Sequence, residues 1–216
     1  TTLNNLAPNT TYNVTVSAIC SSTNQSPTPY STTFTTSCNS ELAPYFEDFD
    51  NGISNCWSQE LSNDDFDWTL NSGPTPSNGF GTGPTDDISG GGNYIYTEAS
   101  NPRDPGDVAI IYSSFIDLSN LTSPELNFYY HMFGQNMGTL EIEIFDGNSF
   151  TNIFTLTGDQ GDQWFQNSIP LITNSNIIQF KIIGEIGGNW SGDIAIDNFE
   201  LIGSSVFCYI HLQITF

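Results

Sequence analysis

Apolar and polar residues alternate with a period of two through much of this chain, and the helical period of about 3.6 residues is absent. Tyr12, Val14, Val16 and Ala18 take turns with Asn13, Thr15 and Ser17, the signature of a half-buried strand. A further strand is expected over residues 31–36. From Cys38 onward, aromatic-rich segments are separated by clusters of Gly, Pro, Asn and Asp. The clearest strands there are 94–98, 108–112, 125–132, 138–145, 153–157, 164–169, 177–183 and 193–201. Their number and spacing predict an all-β chain folded as a jelly-roll β-sandwich, with any helix limited to a single turn. Beyond them, Phe207, Tyr209 and His211 alternate with Cys208, Ile210 and Leu212. Both faces are apolar, so residues 204–216 read as a covered strand or tail.

Length and composition narrow the picture. A chain of 216 residues holds one or two domains. Charge is its most unusual feature: Lys plus Arg is 2, Asp plus Glu is 24, and the net charge is −22. Arg103 and Lys181 are the two basic side chains, so there is no cluster to displace counterions from a phosphate backbone or to hold an anionic membrane. Nucleic acid is excluded as a partner. No run of about 18 apolar residues is present, which excludes membrane insertion by a helix. The first residues carry neither a basic region nor an apolar signal core, so a secreted parent would carry its signal upstream. Cations are the natural partners of such a surface, and carboxylate oxygens suit Ca²⁺. The four cysteines, Cys20, Cys38, Cys56 and Cys208, show no CxxC spacing, which argues against a zinc ribbon or a thioredoxin-like site. Cys38 and Cys56 bracket a short segment and are expected to form a disulfide, worth about 3 kcal/mol if unstrained. Cys20 and Cys208 stay unassigned.

The segment Leu6-Ala7-Pro8-Asn9-Thr10-Thr11-Tyr12 resembles the corner before the sixth strand of a fibronectin type III domain, where the Tyr hydroxyl bonds to the upstream backbone. Residues 31–36 resemble that fold's closing strand. Residues 1–37 would then hold about three of seven strands and leave an apolar face and an edge uncovered. Docking on the following domain, a neighbouring chain, or a larger parent protein could each cover them.

More specific blocks follow. Cys56-Trp57, Asp64-Asp65-Phe66-Asp67-Trp68, Gly83-Pro84, Asp86 and Gly92-Asn93-Tyr94-Ile95-Tyr96-Thr97-Glu98 come first. Phe128-Tyr129-Tyr130-His131-Met132-Phe133-Gly134, Met137-Gly138-Thr139-Leu140, Gly158-Asp159-Gln160-Gly161-Asp162-Gln163-Trp164 and Gly192-Asp193-Ile194-Ala195-Ile196-Asp197-Asn198-Phe199 complete the set. In this order and spacing the chain resembles the MAM domain family over about residues 46–201. The resemblance implies a MAM-like jelly roll at residues 38–203, an extracellular location and a role in adhesion or recognition, with self-association in some members. The tandem of a fibronectin-like unit and a MAM domain is similar to modules of large secreted proteins from marine Bacteroidetes. One departure is that residues 57–207 contain no cysteine, where animal members carry a second disulfide.

Matching motif to motif, the resemblance implies a Ca²⁺ site of Asp50, Asp86 and Asp197, joined by Asp48. Asp64, Asp65 and Asp67 lack the continuation of an EF-hand and read as turn formers beside a core Trp68. Phe128 and Tyr130 should share one strand face, Tyr129 and His131 the other, with His131 structural. Trp190, flanked by Gly187-Gly188-Asn189 and Ser191-Gly192, is the best candidate for an exposed aromatic contact with a ligand. Lys181 should face outward onto a carboxylate. No nucleophile elbow, HExxH, phosphate loop or Ser-His-Asp order occurs, so the chain is expected not to be an enzyme. The expected function is a Ca²⁺-stabilised extracellular module that binds glycans or surface proteins. The alternatives are a subunit that assembles into oligomers or fibres through its incomplete sandwich and apolar tail, and an accessory domain of a secreted hydrolase.

Overall fold

The computed structural model describes residues 3–17, 19–21, 24–25 and 29–205. The chain divides into two units, Thr1–Asn39 and Ser40–Phe216. In the first, β1 (Thr11–Val16) pairs antiparallel with β4 (Tyr30–Thr35), and β2 (Ile19–Ser21) with β3 (Asn24–Gln25). Tyr12 lies opposite Phe34, with their rings stacked at 5.7 Å. The Tyr12 hydroxyl accepts a hydrogen bond from the Ala7 N–H at 2.8 Å, which fixes the corner entering β1 as the sequence predicts. The ribbon buries little: Val16 and Tyr30 are 60% and 70% exposed.

The second unit is a two-sheet sandwich. Its strands are β5 (Glu41–Leu42), β6 (Tyr45–Glu47), β7 (Ser58–Gln59), β8 (Thr69–Asn71), β9 (Tyr94–Thr97), β10 (Val108–Tyr112), β11 (Ile116–Asp117), β12 (Leu121–Met132), β13 (Thr139–Phe145), β14 (Phe150–Thr157), β15 (Phe165–Pro170), β16 (Ile177–Glu185) and β17 (Ile194–Ser205). One sheet runs β14-β13-β16-β10-β7, with β11 and β5 continuing beside β16. The other runs β15-β12-β17-β9-β8, with β6 also on β17. The single described helix is one 3-10 turn, Asn78–Phe80, in agreement with the all-β expectation. Residues 206–216 lie outside the described residues, and with them most of the predicted tail strand and Cys208; the Cys20 side chain does too. Cys38 and Cys56 are both disulfide-bonded.

Alternation explains how the two inner faces make one core. Leu140, Ile142 and Ile144 of β13 and Ile178, Phe180 and Ile182 of β16 meet Leu126, Phe128, Tyr130 and Met132 of β12. Along β17 the inward residues are Ile194 and Ile196, then Phe199 and Leu201. The step from even to odd positions is a β-bulge: the register with β12 shifts between Asn127 and Tyr129, and Asn198 takes the left-handed φ of 47°. Phe199 enters the core with its ring 5.2 Å from Phe180 and 5.5 Å from Trp57. Trp57 in turn donates to the Tyr45 hydroxyl at 2.7 Å.

The bulge also sorts the other face. Before it, Asp193, Ala195 and Asp197 point away from the core beside Tyr94 and Tyr96 of β9, and all five are buried. Residues 72–93, which join β8 to β9, lie across this outer face. Asp193 N–H donates to Thr82 Oγ1 at 3.1 Å, Ile88 N–H to Asp197 Oδ2 at 3.1 Å, and Tyr94 Oη to the Gly73 carbonyl at 2.7 Å. Trp164 packs on Tyr94 at 5.7 Å and donates to the Asp86 carbonyl at 2.9 Å. The connection is therefore a third layer on the six-stranded sheet, tied by side chains rather than by strand pairing.

Candidate functional site

The third layer creates two features, a carboxylate group at one end and an aromatic ridge at the other. Asp87, Asp197 and Asp50 form the first. Asp87 is buried, and its Oδ1 accepts from Gly92 N–H at 2.7 Å while Oδ2 accepts from the Ser89 N–H and hydroxyl. Burial alone would push its carboxyl up, but these bonds outweigh it and hold it below the ordinary range. Asp50 Oδ1 accepts from Asn93 N–H at 2.8 Å. A Cβ placed on Gly92 would lie 2.1 Å from Asp50 Oδ1 and 2.9 Å from Asp87 Oδ2, so the two carboxylates crowd the same glycine. Asp197 is driven up to about 7, first by burial and then by the charges of Asp87 and Asp50, against bonds from the Ile88 and Asn198 N–H groups.

Of the four predicted ligands, Asp50 and Asp197 come within electrostatic reach of each other. Asp48 accepts from Asp50 N–H at 3.1 Å and closes its own turn, while Asp86 accepts from Asp87 N–H at 3.1 Å. Asp87 was not singled out in the sequence. Its neighbour Asp86 carries the motif match, yet Asp87 is the side chain that turns inward. The donor chemistry of this group, three carboxylates with no Lys or Arg among the partners of any of them, suits a hard cation. Among the described residues, however, no three His, Cys, Asp or Glu side chains are arranged to hold a metal ion.

Immediately before β17, Asp193 is fully buried, and burial raises its carboxyl to about 7. Its Oδ1 accepts from Ala99 N–H at 3.0 Å. Oδ2 has no hydrogen-bond partner, and neither does Thr75 Oγ1, although Thr75 is near enough to soften the charge.

The aromatic ridge is built by Trp190 and Phe80. Trp190 sits in the connection from β16 to β17, and Phe80 ends the 3-10 turn of the third layer. The two rings meet edge to face at 6.0 Å and 81°, with Trp190 43% and Phe80 76% exposed. On one side is a cleft of about 410 Å³ lined by Pro76, Ser77, Phe80, Ser100 and Trp190. On the other is a cleft of about 360 Å³ whose walls add Phe133, Gln135, Asn136, Asp159 and Asn189. The Trp190 connection is clamped to residues 134–138. Gly188 N–H donates to the Asn136 carbonyl at 2.9 Å, Asn136 N–H to the Ser191 carbonyl at 3.1 Å, and Asn136 Nδ2 to Ser191 Oγ at 2.8 Å. Backbones approach so closely that a Cβ on Gly138 would lie 1.8 Å from the Glu185 carbonyl, and one on Gly187 2.2 Å from that of Asn136. The sequence marks Trp190 as exposed by its Gly- and Ser-rich flanks. Nothing local marks Phe80, which the third layer delivers from a distant part of the chain.

Comparison with known proteins places the chain, though not these particular features, in a family. The profile of the MAM domain, meprin/A5/mu, matches residues 46–208. The chain belongs to the MAM family. It is 37% identical over 147 residues to "MAM domain-containing glycosylphosphatidylinositol anchor protein 1" of Gallus gallus, a match covering 64% of this chain and 15% of that protein. To Neuropilin-1 of Xenopus laevis it is 33% identical over 146 residues, covering 66% of this chain and 14% of the relative. The chain thus spans only about 15% of the length of the curated relatives it matches. Among solved structures, TmCBM61 in complex with β-1,4-galactotriose superposes with a TM-score of 0.51 at 14% identity, covering 73% of this chain and 94% of that one. The K1 cleaved adhesin domain of Lys-gingipain from Porphyromonas gingivalis W83 gives 0.50 at 18% identity, with 74% and 98% covered. These likenesses are of fold, a β-sandwich.

Several other polar residues of the MAM domain have structural partners. Asp64 and Asp65 accept from the Ile110 and Val108 N–H groups at 3.1 and 2.9 Å, so they tie their loop to the edge of β10. Trp68 is core and donates to the Ala109 carbonyl at 3.1 Å. His131 is buried on the outer face with Nε2 3.3 Å from Asp162 Oδ1, and burial lowers its basicity. Its Nδ1 has no hydrogen-bond partner. Lys181 pairs with Glu143 at 3.0 Å, and Arg103 lies 4.2 Å above the Phe66 ring. Among the described residues no helix is long and apolar enough to cross a membrane.

Proposed function

We propose that this MAM domain is a non-catalytic recognition module of a larger secreted or surface protein, and that it binds glycans through the Phe80–Trp190 ridge. The observation that carries the reading is the ridge itself. Isolated exposed hydrophobics need no explanation, whereas two aromatic rings held edge to face between two clefts make a stacking surface. Family membership supports adhesion or recognition, and TmCBM61, a protein of similar fold, is seen in complex with β-1,4-galactotriose. Trp190→Ala should lower affinity for a bound oligosaccharide at least about tenfold, since aromatic anchors at the centre of an interface dominate binding. Titration calorimetry against neutral oligosaccharides, galactotriose among them, measures this. Undiminished binding by a variant with an unchanged melting curve would sink the assignment.

The same reading includes a Ca²⁺ ion at Asp50, Asp87 and Asp197, whose carboxylates repel one another but are not arranged as a metal shell here and would have to draw together around the ion. The ion would relieve the mutual repulsion of these carboxylates and neutralise buried charge. Adding Ca²⁺ to about 100 times its Kd should stabilise the fold by about 2.7 kcal/mol, a rise in melting temperature of roughly 5–10 °C that EDTA reverses. A melt indifferent to both additions would remove the ion from the account. The N-terminal ribbon, with its Tyr12 corner, is read as fibronectin type III-like, and the parent as an extracellular multidomain protein of bacterial type.

A further inference from the structure

The two clefts beside the ridge differ in chemistry, and the difference restricts the ligand. The Pro76 cleft is walled by Pro76, Phe80 and Trp190, with the hydroxyls of Ser77 and Ser100 as its polar groups. Those hydroxyls are 3.1 Å apart and bond to each other, so this side is mainly an apolar shelf. The Asp159 cleft is polar and supplies both donors and acceptors. Asp159 Oδ1 accepts from the Gly134 and Gly161 N–H groups at 3.3 and 3.0 Å, while Oδ2 accepts from no described residue. Asn189 Oδ1 accepts from the N–H and hydroxyl of Ser191, which leaves its amide N–H₂ to donate. Gln135, an exposed side chain, offers one group of each kind. Such a mixture matches hydroxyl groups, each of which donates and accepts.

Charge adds a second restriction. Among the described residues, Asp159 is the one ionisable side chain lining either cleft. The two basic residues of the chain are engaged elsewhere, Lys181 with Glu143 and Arg103 over Phe66. Nothing in the clefts would neutralise a sulfate or a uronic carboxylate, and the net charge of −22 would repel either one. Each cleft also falls within the roughly 300–1,000 Å³ of ligand pockets, so neither is a mere crevice.

Building on the glycan reading above, we infer that the Phe80–Trp190 ridge divides two subsites, and that its ligand is a neutral oligosaccharide of at least two sugar units lying across it. One unit rests its less polar face on the Pro76 shelf. The next turns its hydroxyls to Asp159, Gln135 and Asn189. Phe80 is shared by both clefts, yet its exposure and its position at the end of a 3-10 turn mean that removing its ring leaves the core untouched.

The test is calorimetric titration of the full chain with neutral gluco-, manno-, xylo- and galacto-oligosaccharides of one to four units, beside oligogalacturonate and a chondroitin sulfate tetrasaccharide. Binding should strengthen at least about tenfold from one unit to two and level off soon after. The anionic probes should bind at least about tenfold more weakly than neutral ones of equal length. Phe80→Ala should erase the gain from the second unit, and Asp159→Asn should weaken the two-unit ligand more than the single sugar. Equal affinity for one and two units, or preference for an anionic probe, with binding still dependent on Trp190, overturns the two-subsite inference and leaves the glycan reading standing. Failure of every probe to bind overturns both.

Discussion

Replacing Asp193 by Asn is expected to stabilise the protein above neutral pH and to flatten the dependence of its stability on pH. The carboxyl is fully buried, one oxygen is without a partner, and the charge of Glu98 opposes its ionisation further. Its folded value of about 7 stands above the ordinary value of 3.8, so the folded state holds the proton more tightly than the unfolded chain. The sign follows directly. Between about pH 4 and pH 7 each rise of one pH unit costs the fold about 1.4 kcal/mol at this site, and above that the penalty is complete. The cumulative penalty is on the order of 4 kcal/mol. Asn carries no charge, keeps an oxygen for the Ala99 N–H, and presents an N–H₂ to the orphaned Thr75 hydroxyl. Urea unfolding in calcium-free buffer at pH 4.5 and pH 8 measures the effect. The variant should match the parent at the lower pH and exceed it at the higher. Parallel pH slopes for the two proteins would show that Asp193 is not the group responsible.

Phe199→Ala should be the most damaging single truncation in the core. Phe199 is fully buried where the bulge of β17 turns it inward, between Phe180 on the opposite sheet, Trp57, and Phe128 at 6.3 Å. Removing the ring forfeits its transfer energy, leaves a cavity among aromatic neighbours, and costs about 3–5 kcal/mol. For a domain of this size that is a fall in melting temperature of roughly 6–20 °C. Phe199→Leu refills part of the volume and should lose less than half as much. A loss under about 1 kcal/mol for the alanine variant would mean the surrounding rings close the gap, contrary to the close packing described.

Much of this fold was legible because strand alternation is a local property. The eight long strands predicted from the MAM segment all appear, since each buries one face against the other sheet. The two-residue strands β5, β7 and β11 were not legible, because their pairing is set by what lies beside them. Residues 72–93 were less legible still. They carry little periodicity, and their placement depends on bonds to Asp193, Asp197, Tyr94 and Trp164, scattered through the chain. The same holds for the residues of the candidate site. Trp190 could be picked out by its flanks, but its partner Phe80 could not. Asp86 was chosen over Asp87 because a motif match does not say which of two adjacent side chains faces the sheet. The bulge at Asn198 was equally hidden. In the sequence, Ile194, Ile196, Phe199 and Leu201 simply read as an apolar strand with one step out of phase.

The clamp beneath Trp190 has a consequence for how such a module diversifies. Around Gly138 and Gly187 main chain rests on main chain, and any side chain would have to push carbonyl groups apart. The rings of Trp190 and Phe80, by contrast, are 43% and 76% exposed and lie outside the hydrophobic core. On the proposed reading, substitutions are tolerated where they would alter the ligand and penalised where they would move the platform. If the ridge is the ligand site proposed above, a lineage carrying this domain can exchange one ligand for another through a handful of surface replacements while the sandwich below stays as it is.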